Sequence, residues 1–522
     1  MRREVKGQER CSASVRTHPV PVTPHAQYPA LDSLLLLIIL NFTLQPLTEP
    51  DFGWHLRTGL DLLQHGGSLP ALDPYSHTMP DWPWVEHAWL TDLIIGASYQ
   101  LFGALGVILF FGVVTAGAWL VASLSVPCSR TYRLLACSLS LWVALPFLGA
   151  RTQMVTLLGL AVLLVVLERS RNGEGRVLWL IPPLFLLWAN LHGGFTAGLF
   201  LLGLVVACSA TLKGVLLWAP GFAARLEEAP LSWLAIGRLT LAAGIAALVT
   251  LVNPYGWRLY GEIIDSLSNQ FMLESLQEWQ PPSLATLAGR SYACYLAGLG
   301  VAMAAWYRRI EPVRWAGWIV FLLLSLRHMR NIPFFLLVSL PLCAELLAGG
   351  LGRLTARFGL DSIHASRCLL AVTFAGGLFM VWLGSDHLQR VAQSGLQPAE
   401  YFKGTSYPIE AVQWVREHRG RVGHRLYNDY AYGGFLLWWL PEEKIFIDGR
   451  MPAWRSGDRR IFQDYVALSL TDPPGLSVLG AYSVDWAMVR RTSLLDEALA
   501  REQTWTREYE DGKVSIYVQL PR

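Results

Sequence analysis

Long apolar runs separated by short polar turns set the rhythm of this chain. The runs cover residues 31–48, 104–125, 133–150, 153–168, 177–191, 194–213, 233–252, 291–307, 314–327, 331–350 and 368–386. A helix needs about 20 apolar residues to cross a bilayer, and several of these runs are shorter. The pattern therefore predicts about eleven membrane helices with soft boundaries. Residues 88–103, AWLTDLIIGASYQLFG, are placed as an interfacial helix, because the charge alternation of the flanking loops then works. Residues 258–282, RLYGEIIDSLSNQFMLESLQEWQPP, read as an amphipathic external helix ended by Pro-Pro, with Leu259, Ile263, Leu267 and Phe271 on its apolar side.

From about residue 388 the pattern turns polar and mixed. PIEAVQWVREHR predicts a helix, RLYND a strand, GGFLLWWLP a helix and EKIFIDGR a buried strand. RRIFQDYVALSL follows as a helix, VDWAMVRR as a strand and LLDEALAREQ as a helix. A terminal hairpin turns at Asp511-Gly512. Alternating strands and helices argue for a small α/β domain. The fold class is a polytopic α-helical membrane protein carrying a C-terminal extracytoplasmic α/β domain. Its parts are a cytoplasmic basic tail over 1–30, a transmembrane domain over 31–387 with a first outer loop at 49–103, and the α/β domain over 388–522.

Composition agrees. The chain has 522 residues, 53% hydrophobic and 16% charged, against about 25% charged in soluble domains. The seven cysteines show no metal-ligand spacing and are read as core-filling thiols. No small-residue cleavage motif follows the first span, so it reads as a retained signal anchor.

With the basic tail inside, SRTYR, ERSRNGEGR, the Lys213-to-Glu228 stretch, RRIEPVR and GRLTARFGLDSIHASR all become inner loops, as the positive-inside rule requires. The outer turns then gather the unusual polar groups. They contribute Glu49, Asp51, His55, Arg57 and Glu86 from the first loop, then Arg151, Asn190 and His192. Asn253, Tyr255, Glu278, Arg327, His328 and Arg330 come from later turns. Charge at this depth is costly unless it is paired or functional. Guanidinium forks match phosphate oxygens, and adjacent carboxylates suit general-base or metal-ligand work. A membrane-embedded phosphate site suits a lipid phosphate carrier. In the α/β domain the strand ends present Asn428, Asp429, Asp448 and Arg450, where ligands of such sheets bind. Turn formation is the competing reading of those residues. YGGF lacks the Lys and Ser/Thr of a phosphate loop.

The first-loop stretch PDFGWHLRTGLDLLQHGGSLPALDPYSHT resembles that of GT-C superfamily membrane glycosyltransferases, which use polyprenyl-phosphate-linked sugars. It is more distantly similar to the Asp-x-x-x-Asn-x-Arg segment of the oligosaccharyltransferase catalytic subunit. WANLHGGFTAG, LVNPYGWRLY, RHMRNIPFF and LYNDYAYGGFLLWWLPEEKIFIDGRM resemble a bacterial group of the same architecture. The resemblance implies an acidic catalytic residue just after the first span, here Asp51, with Glu49 or Glu86 assisting. The cluster on the outer turns itself puts Arg151, His192, Arg327, His328 and Arg330 on the carrier phosphate. Donor and acceptor contacts fall to His55, Arg57, Asn190, Asn253, Tyr255, Glu278, Asn428, Asp429, Asp448 and Arg450. The chain shows no DxD pair in its second loop, so a divalent cation (Mg or Mn) and a metal-free single-base mechanism both stay open. The expected partners are a polyprenyl-phosphate sugar lipid, a glycan, lipid or protein acceptor, and the plasma (inner) membrane, with no nucleic acid. Alternatives are a flippase or transporter of lipid-linked sugar, which would show mid-membrane charges and repeated halves, and a non-catalytic scaffold.

Overall fold

The computed structural model describes residues 29–357 apart from Pro127, Glu227, Glu228 and 307–311, then 371, 374–379, 382, and 384–521 apart from Asp458. The basic tail up to residue 28, part of the expected span at 368–386 and the Arg-rich loop from residue 358 lie outside the described residues.

The apolar runs form helices close to where the pattern puts them. In chain order these begin with α1 (Pro29–Thr43), α2 (Phe52–Gln64), α3 (Trp89–Ser123), α4 (Arg130–Ala144) and α5 (Gln153–Arg171). They continue with α6 (Ile181–Leu191), α7 (Phe195–Trp218), α8 (Trp233–Val249), α9 (Arg258–Ser268) and α10 (Gln270–Ser275). Then come α11 (Leu287–Trp306), α12 (Pro312–Arg327) and α13 (Ile332–Arg357). Among the described residues four helices are long and apolar enough to cross a membrane: α3, α5, α7 and Met329–Gly350. Helix α3 is broken at Gly103, whose φ of 62° separates the stretch from Trp89 from the longer run behind it.

The helices bury one face and leave an apolar face outward. In α8, Ile236, Leu239, Ala242 and Ala246 are buried, whereas Leu234, Leu241 and Leu248, one heptad apart, are exposed. Apolar side chains facing outward along whole helices belong against lipid. Between helices, polar pairs are satisfied locally: the Trp119 indole donates to Ser140 Oγ at 2.9 Å, and Tyr292 and Ser325 share a hydrogen bond of 2.6 Å. Such bonds and close packing hold membrane helices together where lipid removes the hydrophobic drive between them.

The C-terminal part is built on a four-stranded sheet of order β1-β2-β4-β3. Its strands are β1 (Leu426–Asn428), β2 (Trp486–Arg490), β3 (Trp505–Glu510) and β4 (Val514–Gln519). β1 runs parallel to β2, and the other pairings are antiparallel. Helices Ile409–Glu417, Gly433–Trp439, Ile461–Ser469 and Leu494–Arg501 form where the sequence predicts them.

The sequence reading fails in two places. EKIFIDGR is buried but is not a strand of the sheet. Its main chain pairs instead with the first loop: Ile445 N donates to Tyr75 O at 3.0 Å, and His77 N donates to Ile445 O at 3.1 Å. The Asn428 side chain closes the other side, accepting from Phe446 N at 2.8 Å and donating to Ile447 O at 2.8 Å. The expected external helix over 258–282 is also interrupted. Asn269 accepts from Met272 N and caps α10, and Gln277–Trp279 is a 3-10 turn.

The first loop is thus part of the C-terminal body. Trp54, Tyr75 and Trp84 share a buried cluster with Tyr407, Ile409, Leu426, Phe435 and Trp486. The two meet backbone to backbone, since a Cβ on Gly53 would lie 1.8 Å from Gly434 O. YGGF supplies this close approach.

Candidate active site

A cavity of about 310 Å³ opens where the turns at one end of the helices converge beneath the C-terminal body. Glu49, Asp51, His55, Glu86, His87, Arg151, His192, Glu278, Arg330, Tyr430 and Arg450 line it. Helix ends place them: Glu49 and Asp51 follow α1, Arg151 precedes α5, His192 joins α6 to α7, and Arg330 joins α12 to α13.

A chain of ion pairs crosses this cavity. Arg151 Nε lies 3.0 Å from Glu49 Oε2, and its Nη2 donates to Glu278 Oε2 at 2.7 Å. Arg330 Nη1 reaches the other Glu278 oxygen at 2.9 Å, while its guanidinium lies 4.2 Å from the centre of the Trp279 ring. The Gln153 amide fixes the turn by donating to Arg330 O at 3.1 Å. Asp51 accepts from the Trp54 indole at 3.2 Å. Its carboxylate rests on Gly449, where a Cβ would fall 1.7 Å from Asp51 Oδ1. Only glycine at 449 leaves room for Asp51.

The acids are not alike. Burial pushes the Glu49 carboxyl up to about 7, against the pull of Arg151. Burial raises Asp51 too, again opposed by Arg151. Burial would also raise Glu278, but Arg330 and Arg151 outweigh it and hold its carboxylate below the usual range. Glu278 is therefore the fixed charge, Glu49 is the group poised to exchange a proton near neutrality, and Asp51 is shifted in the same direction.

Behind them lies a second group. His55 Nδ1 is 2.6 Å from Asp92 Oδ1, and His55 Nε2 is 3.5 Å from Thr152 Oγ1. Glu86 accepts from Ala88 N at 3.0 Å. His87 and His192 stack edge-on with ring centres 5.4 Å apart, and His192 Nδ1 meets Thr156 Oγ1 at 2.7 Å. Burial holds His55 and His87 down at about 3, so both are neutral imidazoles at physiological pH.

Of the other candidates, all but Arg450 lie outside the cavity. Arg327 is exposed at the end of α12, and the turn from Met329 to Asn331 brings Arg330 inward in its place. His328 bonds to the Trp279 carbonyl from behind. Arg57 pairs with Asp61 at 3.1 Å. Asn190 accepts from the Trp89 indole at 3.1 Å, and Asn253 makes an Asx turn with Tyr255 N at 2.8 Å. Tyr255 packs on the helix core with its hydroxyl buried. Asn428 ties β1 to residues 446 and 447, and Asp429 caps Ala431 N while pairing with Arg490 at 3.1 Å. Asp448 spends its charge on Arg450, which also reaches Asp73 at 2.8 Å. Sequence reasoning missed Asp92, Trp279 and Tyr430. Asp92 was hidden by its apolar surroundings, and the other two carry no pattern.

No family model matches the chain, and no curated protein matches its sequence. Solved structures do match in three dimensions. One is the oligosaccharyltransferase of Archaeoglobus fulgidus tethered to an acceptor peptide containing the NVT sequon, with TM-score 0.53 and 12% identity, covering 88% of this chain and 68% of that one. Another is the archaeal oligosaccharyltransferase AglB from Archaeoglobus fulgidus in complex with an inhibitory peptide and a dolichol-phosphate, with TM-score 0.52 and 11% identity, covering 88% and 69%. ArnT from Cupriavidus metallidurans, bound to undecaprenyl phosphate, matches with TM-score 0.44 and 14% identity over 94% of this chain and 97% of that one. The chain shares its fold with the archaeal oligosaccharyltransferase structures. Among the described residues, the four helices long and apolar enough to cross a membrane accord with that fold.

Proposed function

We propose that this chain is a GT-C-type glycosyltransferase that moves a sugar from a polyprenyl-phosphate-linked donor to an acceptor outside the cytoplasm. In this reading about eleven spans cross the plasma (inner) membrane, with residues 1–30 inside and the α/β domain of 388–522 outside. The observation that carries the proposal is the cavity itself. Asp51, the acid that follows the first helix, lines it together with Arg151 and Arg330, whose guanidinium groups come from separate turns. The archaeal enzyme of this fold holds a dolichol-phosphate.

The chemistry balances on these residues. Asp51 takes the proton of an acceptor hydroxyl as its oxygen bonds to the anomeric carbon. The bond from that carbon to the phosphate oxygen breaks with inversion, and the lipid phosphate leaves with the electron pair. Arg151 and Arg330 meet the phosphate charge as it develops, and Glu278 holds both forks in place. Glu49 tunes Asp51 through Arg151. No step is routed through a metal at Asp51: among the described residues, the side chains grouped closely enough to hold one do not include it.

Native mass spectrometry of the purified protein tests the lipid half of this reading. The wild type should carry a polyprenyl-phosphate adduct that Arg151→Ala and Arg330→Ala each deplete by more than about tenfold, since each removes a charge-assisted contact. Equal adduct on all three proteins would overturn the phosphate assignment.

A further inference from the structure

Behind Asp51, α2 and α3 approach so closely that a Cβ on Gly59 would lie 1.9 Å from Asp92 O. This contact sets His55, one turn into α2, against Asp92, in the first turn of α3, and the loop before α3 adds Glu86. The ligand-capable atoms of His55, Glu86 and Asp92 all lie within 4.8 Å of one another. The side chains are 4%, 3% and 0% exposed.

Their hydrogen bonds do not account for them. Asp92 Oδ1 takes the 2.6 Å contact with His55, but Asp92 Oδ2 is fully buried with no hydrogen-bond partner. A buried carboxylate oxygen without a donor is a group whose partner has yet to be supplied. The Glu86 carboxyl stands nearby, with a second imidazole, His87, 3.8 Å from it.

We propose that His55, Glu86 and Asp92 form a binding site for a divalent transition-metal ion, with Zn²⁺ or Mn²⁺ as the class of occupant. One imidazole and two carboxylates are a donor set both ions accept, and the pair of carboxylates balances the charge of a divalent cation. Binding displaces the proton shared by His55 and Asp92 and lets their donor atoms separate to about 3 Å, the ligand spacing of such ions. Three protein ligands leave a position open, and His55 and Glu86 both face the cavity. A bound ion there presents a Lewis acid to whatever occupies the cavity. The site does not use Asp51 and stands independently of the transferase reading.

The test is metal content. Full-length protein in detergent is stripped with chelator, incubated with Zn²⁺ or Mn²⁺, desalted and measured by inductively coupled plasma mass spectrometry. The expected result is one equivalent per chain for the wild type and for Asp51→Asn, falling at least tenfold in Asp92→Asn and in Glu86→Gln. The ion should raise the thermal midpoint of the wild type and leave that of Glu86→Gln unmoved, which separates lost ligation from lost folding. No retained metal with either ion, or undiminished binding in both ligand variants, overturns the proposal. Loss of binding in Asp51→Asn would move the ion to a different site and overturns it equally.

Discussion

Asp51 and Glu49 stand in the short stretch that follows the first helix, and their environment decides what they do. Burial lifts both, and for Glu49 the ionisation midpoint moves from 4.5 to about 7. A base must be deprotonated to act, and burial raises Asp51, so transfer should fall on acidification. Stability runs the other way. A carboxyl raised in the folded state contributes fully below its unfolded value of 4.5, and that contribution is lost as pH rises through about 7. Rate and thermal midpoint measured across pH 5 to 8, an interval chosen to bracket this transition, should therefore move in opposite directions; Glu49→Gln should flatten the stability profile. A transfer rate that instead rises on acidification would remove these acids from the role of base. At this scale the sequence was informative where chemistry depends on residue type alone, as with Asp51, Glu49, Arg151 and His192. It could not choose between Arg327 and Arg330, because a single 3-10 turn decides which of them faces inward.

At the scale of elements, the strongest link between the first loop and the C-terminal body is Arg450. It is 5% exposed, pairs with the fully buried Asp73 and Asp448, and lies over the rings of Tyr75, Trp84 and Trp454 at 5.2, 5.2 and 5.3 Å. From sequence it reads as a ligand contact at a strand end; in the structure it is a clamp. The partner that makes it one, Asp73, is 377 residues away in the chain, a separation no local pattern reveals. Replacing one member of a buried ion pair strands the other charges and costs about 3–5 kcal/mol. Arg450→Met should therefore lower the thermal midpoint markedly and open the loop around Asp73 to limited proteolysis. An unchanged midpoint and cleavage pattern would show that the clamp is not what joins the two. The helices themselves were legible, since a run of apolar residues leaves few alternatives in lipid. IFIDGR was not, because a buried extended segment reads the same whether its partner is a sheet or a loop from the other end of the chain.

Across the whole molecule, the cavity exists because turns scattered from Glu49 to Arg330 meet at one end of the helix layer and Gly449 closes it from the C-terminal body. Charge alternation indicated that these turns share a side of the membrane, which is the part of the site that topology alone determines. Which side chains would face one another depended on helix ends and close glycine contacts, and these follow from packing rather than pattern. Asp51 is proposed as the base of sugar transfer from a polyprenyl-phosphate donor. Mass spectrometry of polyprenyl-linked sugars and surface glycans in cells carrying the native protein, a deletion or Asp51→Asn tests it most directly. Deletion and Asp51→Asn should lose the same surface sugar and accumulate the same lipid-linked donor. An Asp51→Asn strain matching the native one while the deletion does not would contradict it.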